Sequence, residues 1–380
     1  MSSRCNHLLH SRSADVSSTH DVLAFEGTSL PDWGGGSSAF LECQQTYQHG
    51  VAALQASQVW MLRETATLLR AVGGNATQAA KMEADAATLL AELMPQLQMP
   101  TSGNNSNKLV SLKGGDDVSD DGGWWWMLYP ATPDPVAAAR RRNGSDGGTD
   151  TTNPSSPPQG RSEKSKKVEG RFIHDFLYVG QAIADDLNEA ERDAMTRFFQ
   201  RELRTPQFVR AMSQRDPSAN TTGARRADHN QWGSWDGWAG GSITALAWLK
   251  RPDAALDLAR ALGDNLNEGP FGQAHRVFGA GEGPSGQMTK PALKDQSWMA
   301  VCSGYIADGV IRGLFGFAPS LALGAGDGDA RVGEDGVPRL QDPTMNRGFV
   351  GTLSHVRYRG QLFTITSDAL GVTAVREPSY

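Results

Sequence analysis

The densest collection of reactive and aromatic side chains in the chain is the run Asp228-His229-Asn230-Gln231-Trp232-Gly233-Ser234-Trp235-Asp236-Gly237-Trp238. Trp232, Trp235 and Trp238 recur every three residues around one carboxylate, Asp236. An indole face packs against the apolar face of a sugar ring, and a carboxyl group can bond hydroxyls or protonate a glycosidic oxygen. Gly233, Gly237, Gly240 and Gly241 would let backbone come close to a ligand. The same run also reads as the Trp-rich start of a helix packed into a core, with Asp236 as its cap.

Further candidates are scattered. Asp32 stands in a Trp-Gly-rich turn, and Glu42 in the first turn of the helix expected next. Their plainer roles are turn acid and helix-dipole partner. His174 and Asp175 are adjacent at the start of a later helix, so they point to different faces; one of them is then a cap or core partner. Gln273 and His275 follow the turn-rich GPFG at 269–272, a loop suited to hydroxyl contacts. His229 completes the set of possible hydroxyl ligands. No two of His174, His229, His275 and Cys302 have metal-ligand spacing, so no metal is expected. Neither a dinucleotide fingerprint, a Walker loop nor a G-x-S-x-G elbow is present, and no cofactor is expected.

The elements that must position these groups are mainly helical. Leu54, Met61, Leu68 and Val72 form one stripe of a helix expected over about 40–72, stopped by Gly73-Gly74. A second helix, about 77–94, ends at Pro95 and pairs with the first as an αα-hairpin. Helical patterns resume over 171–187 and 189–203, where Asn188 and Glu191 resemble a capping box. They continue over 240–249, 252–266 and 298–314. Trp124–Tyr129 reads as a short buried strand, and Val356, Tyr358, Phe363 and Ile365 alternate around a turn as a β-hairpin. No βαβ alternation occurs, which argues against a parallel-sheet fold.

The 380 residues allow a large core. The organisation expected is a disordered N-terminus at 1–30, a first helical part at 31–130, a disordered low-complexity insertion at 131–169, further helices at 170–347 and a β element at 348–380. The net charge of −6 offers no basic surplus for nucleic acid. No apolar run approaches the ~20 residues of a membrane span, and no membrane partner is expected. Three unpatterned cysteines and the lack of an apolar signal core favour a cytoplasmic or organellar place over secretion.

Several segments together resemble the six-hairpin glycosidase superfamily, in the neighbourhood of trehalases, processing glucosidases and mannosylglycerate hydrolases. They are FLECQQTYQHGVAALQASQVWMLRETATLL (40–69), RFIHDFLYVGQAIADDL (171–187), ADHNQWGSWDGWAGGSITAL (227–246), EGPFGQAHRVFG (268–279) and GFVGTLSHVRYRGQLFTITSDALGV (348–372). SWDGWAG is similar in style to the Trp-Asp-x-x-x-Gly-Trp substrate loop of trehalases, though shorter. The resemblance implies a mainly α fold, an (α/α)6 toroid with a small C-terminal β-hairpin element. It implies two carboxylates acting on an α-linked glucoside or related small glycoside, with inversion. Asp236 is then an acid or hydroxyl ligand, with Asp175, Glu42 or Asp32 opposite. Trp232, Trp235 and Trp238 would stack on a carbohydrate ligand; His174, His229, Gln273 and His275 would bind its hydroxyls. The seven helices expected are too few for a full toroid, so the toroid is incomplete, completed by a missing N-terminal half or a partner subunit, or the chain is a degenerate, non-catalytic carbohydrate binder.

Overall fold

A computed structural model describes residues 47–98, 122–129, 166–206, 209–219, 233–263, 275–278, 288–291, 301–317, 340, 349–358 and 360–378; at 93–95, 233–236, 275–278, 288–291 and 301–303 it describes the backbone. Helices α1 (Ala52–Ala71) and α2 (Ala76–Leu97) form a hairpin turned at Gly73, whose φ is +67°. α3 (Ile173–Ala182) returns through α4 (Glu189–Phe198), which continues as a π-helical turn, Phe199–Leu203. α5 (Asp236–Trp248) returns through α6 (Pro252–Gly263). α7 (Val301–Asp308) runs on into a π-helical turn, Gly309–Leu314.

Contacts between hairpins show a common direction. Ala53 near the start of α1 meets Asp175 near the start of α3, while Arg63, further on, meets Asp186 just past the end of α3. His174 of α3 meets Trp238 of α5, and a turn or two later Gly180 lies against Ala245. Gly240 of α5 lies under Tyr305 of α7, and Gly313 under Ile243 and Thr244. α1, α3, α5 and α7 therefore stand side by side, all pointing the same way. Return helices α4 and α6 do likewise: Arg251 before α6 bonds Glu189 and Asp193 of α4, and Arg204 pairs with Asp257 of α6.

Residues leading into the row are extended. β1 (Trp125–Tyr129) pairs antiparallel with β2 (Lys166–Gly170), which leads into α3. Gly50, just before α1, bridges to Leu128 of β1. β3 (Gly233–Trp235), leading into α5, pairs with β4 (His275–Phe278), and β4 with β5 (Met288–Pro291). The C-terminus is a three-stranded antiparallel meander, β6 (Gly351–Tyr358), β7 (Gln361–Asp368) and β8 (Gly371–Arg376). Its own small core of Phe315, Phe317, Tyr358, Phe363 and Ile365 adjoins the helical core through Val310 and Phe349.

Four details differ from expectation. α1 begins at Ala52 rather than near residue 40 among the described residues, because Gly50 is engaged with Leu128 and His49 sits at φ +60°. Its buried face is Ala52, Ala53, Gln55, Ala56, Val59 and Ala66, while Met61 and Val72 are exposed. Small residues let neighbouring helices approach α1 closely, while Trp60, Met61 and Val72 are left exposed. Residues 166–169, within the span expected to be disordered, form most of β2; pairing with the buried aromatic strand satisfies their backbone. Gly240 and Gly241 serve helix packing rather than a ligand. A Cβ on Gly240 would run into the carbonyl of Tyr305, and one on Gly241 would lie 3.2 Å from Leu177 and Gln181. Gly240→Ala is expected to cost about 1–3 kcal/mol by overpacking. A urea midpoint equal to that of the unsubstituted chain would refute so close a crossing.

Candidate functional site

The starts of the parallel helices bring together residues distant in sequence. Asp175, in the first turn of α3, is 1% exposed. Its Oδ1 accepts the Tyr47 hydroxyl at 2.7 Å and the Ala53 backbone N–H at 2.9 Å. α1 has no side-chain cap of its own at Val51. A carboxyl from the neighbouring helix thus satisfies one of its unpaired N-terminal donors. Oδ2 is equally buried and has no hydrogen-bond partner among the described residues.

Two influences compete on this carboxyl. Burial disfavours the charged form and dominates, raising the pKa to about 7; the Tyr47 and Ala53 hydrogen bonds pull it down by less. Burial, then the Asp175 charge, pushes the Tyr47 phenol well above its usual value, so Tyr47 remains a donor. Near neutrality the Asp175 carboxyl is divided between acid and base forms, the state suited to giving or taking a proton.

An aromatic wall closes the other side. The His174 ring lies edge-on to Trp238 at 4.6 Å, and 5.7 Å from Tyr47 and 6.2 Å from Tyr178. His174 is 2% and Trp238 8% exposed. Both therefore belong to the wall of the core at this end, and Trp238 offers no open face of the kind a sugar platform needs. Asp236 is the first residue of α5, at the same end of the row as Asp175. Trp235 and His275 are register partners in the β3–β4 pair, so forty residues of separation close to one rung beside the start of α5. Asp32, Glu42, Trp232, His229 and Gln273 lie outside the described residues.

The start of α3 is itself held by a buried ionic cluster. The Arg171 guanidinium lies over the Trp124 ring at 4.6 Å and donates to Glu202 at 2.6 Å and to Glu169. Glu202 also accepts from the Ser213 hydroxyl at 2.6 Å, and Asp216 accepts the Arg171 N–H at 2.8 Å. Tyr47, Glu202 and Asp216 are not singled out by the sequence; they act through contacts over 31 to 128 positions, for which local spacing carries no signal.

Among the described residues there is no group of three His, Cys, Asp or Glu side chains that could hold a metal, and no helix long and apolar enough to cross a membrane.

The chain matches no known family and no curated protein. Among solved structures it is similar to a chain titled "Sialidase", with a TM-score of 0.53 at 11% identity over 94% of this chain. The match spans 28% of that longer chain. At this identity the likeness is one of fold.

Proposed function

We propose that the chain acts on a glycosidic bond, hydrolysing an α-linked glucoside or related small glycoside by an inverting mechanism, with Asp175 and Asp236 as its paired carboxyls. The observation that carries this is Asp175: buried, held by Tyr47 and Ala53 on one oxygen, unpartnered on the other and raised to about 7. A carboxylic acid kept half protonated at neutral pH is what protonation of a leaving-group oxygen requires. Asp236 begins the adjacent parallel helix, and an inverting pair needs roughly 6.5–9.5 Å between carboxyls to admit water. Fold likeness to a chain titled "Sialidase" supports a glycoside-related reading.

The parallel row with antiparallel returns is the arrangement an arc of an (α/α)6 toroid would have. Six hairpins are twelve helices; α1 to α7 would supply part of the ring, with the remainder from a partner. A second reading is favoured by the same carboxyl: Asp175 caps α1, so the chain could bind sugar without cleaving it.

The test is hydrolysis of aryl α-glucosides and α-linked disaccharides by the purified chain, beside Asp236→Asn. Hydrolysis by the unsubstituted chain and a loss of about 10²–10⁴-fold in the variant are expected. Unchanged hydrolysis would remove Asp236 from the pair, and binding without hydrolysis would establish the second reading.

A further inference from the structure

A groove of about 290 Å³ lies between α1 and α3, one turn beyond the Asp175 centre. Leu54, next to the Ala53 whose N–H binds Asp175, lines it, as does Tyr178, whose ring is 6.2 Å from His174. The volume stands at the small end of the roughly 300–1,000 Å³ typical of small-molecule sites. That suits one or two sugar rings rather than a helix or a long chain.

The lining specifies chemistry. Trp60 is 42% exposed beside the groove, an indole left in contact with water in the middle of a helix. Ser57 and Gln58, neutral and half-buried, line the groove. Gln181 donates its amide N–H to the Gly241 carbonyl at 3.1 Å, which fixes the amide and leaves its oxygen as an acceptor. Among the described residues no carboxylate lines the groove. The one cation lining it among the described residues, Arg312, already lies over the Trp248 ring at 4.8 Å and 3.3 Å from Asp308. Aromatic surface with neutral, directional polar groups and an internally compensated charge matches a ligand with apolar C–H faces and hydroxyls.

We propose that this groove is a neutral-saccharide subsite, with Trp60 its stacking platform and Gln58 and Gln181 its hydroxyl-binding amides. It rests on the glycoside reading of Asp175 only for the claim that the bound sugar is part of the substrate.

The experiment is calorimetric titration of the full chain with maltose, trehalose and N-acetylneuraminic acid, repeated on Trp60→Ala, Trp60→Phe and Asp175→Asn, with hydrolysis assayed in parallel. Expected is binding of a neutral disaccharide, weakened about tenfold in Trp60→Ala, which corresponds to about 1.4 kcal/mol of lost stacking, and largely restored in Trp60→Phe. Asp175→Asn should lose hydrolysis, and Trp60-dependent binding is read on the unsubstituted chain. The proposal is overturned if no neutral sugar binds, if only the anionic sugar binds, or if Trp60→Ala leaves binding unchanged, including the case in which it alters self-association instead. Trp60-dependent binding with no hydrolysis by any form upholds the subsite and defeats the catalytic reading. Hydrolysis with a KM indifferent to Trp60 does the reverse.

Discussion

Asparagine in place of Asp175 is expected to abolish hydrolysis while making the protein more stable above pH 7. The activity loss follows because an amide at this position cannot deliver a proton; about 10²–10⁴-fold is the expected scale. The stability gain follows from the direction of the pKa shift. The folded value is about 7, above the roughly 3.9 of an unfolded aspartate. Between those two values the folded chain binds more protons than the unfolded one, so stability falls as pH rises from about 4 to 7 and is level beyond. About three pKa units correspond to about 4 kcal/mol against the charged form.

Asparagine keeps an oxygen for Tyr47 and Ala53 and removes the charge. Its amide N–H then takes the place of Oδ2, which has no partner, at a cost of about 1–3 kcal/mol. The net gain at pH 8 is therefore about 1–3 kcal/mol, and the stability curves of the two chains cross between pH 4 and 7. Denaturant unfolding at a series of pH values measures this. A wild-type curve that is level from pH 4 to 8 would sink the raised pKa. A variant less stable at pH 8 would mark Asp175 as a structural cap for α1 whose charged form is needed.

How far such a centre could be read in advance depends on the range of each interaction. The hairpin helices were accessible because their signals are local. The helix expected over 77–94 spans Ala76–Leu97, and the capping box forms, Asn188 accepting from the Glu191 N–H at 3.0 Å and Glu191 from the Asn188 N–H at 2.8 Å. The packing face of α1 is not legible from apolar size: alanines pack inward, and Met61 is 51% exposed. β2 was lost in a polar stretch since Lys166–Glu169 carry no apolar alternation of their own; β1 supplies the buried surface. β8 extends the expected C-terminal hairpin to a meander through a turn after Asp368. Asp175 was named from its place at a helix start, but the hydroxyl that holds it comes from Tyr47, 128 positions away. Trp60 is a lone tryptophan in a helix, and only its 42% exposure marks it out.

Glu202→Leu should strongly destabilise the fold. It removes a carboxylate that is 5% exposed and faces an Arg171 equally 5% exposed, over the Trp124 ring. Leaving a buried guanidinium short of its partner costs about 3–5 kcal/mol, far above the ~0–1 kcal/mol of an exposed pair such as Arg63 and Asp186. The expected measurement is a fall of that size in unfolding free energy. Arg171→Met combined with Glu202→Leu should recover part of the loss, because the pair is then replaced by apolar groups instead of being broken. If the single and double losses simply add, Arg171 and Glu202 are not energetically coupled and the cluster is held by its other contacts. The cluster also bears on the site. Arg171 precedes α3 by two residues, its N–H bonds Asp216, and Ile173 N–H bonds the Ala211 carbonyl. Loosening it shifts the first turn that carries His174 and Asp175, so Glu202→Leu should lower kcat in whatever fraction remains folded, whereas Glu202→Gln, which keeps an acceptor for Arg171 and Ser213, should largely preserve it.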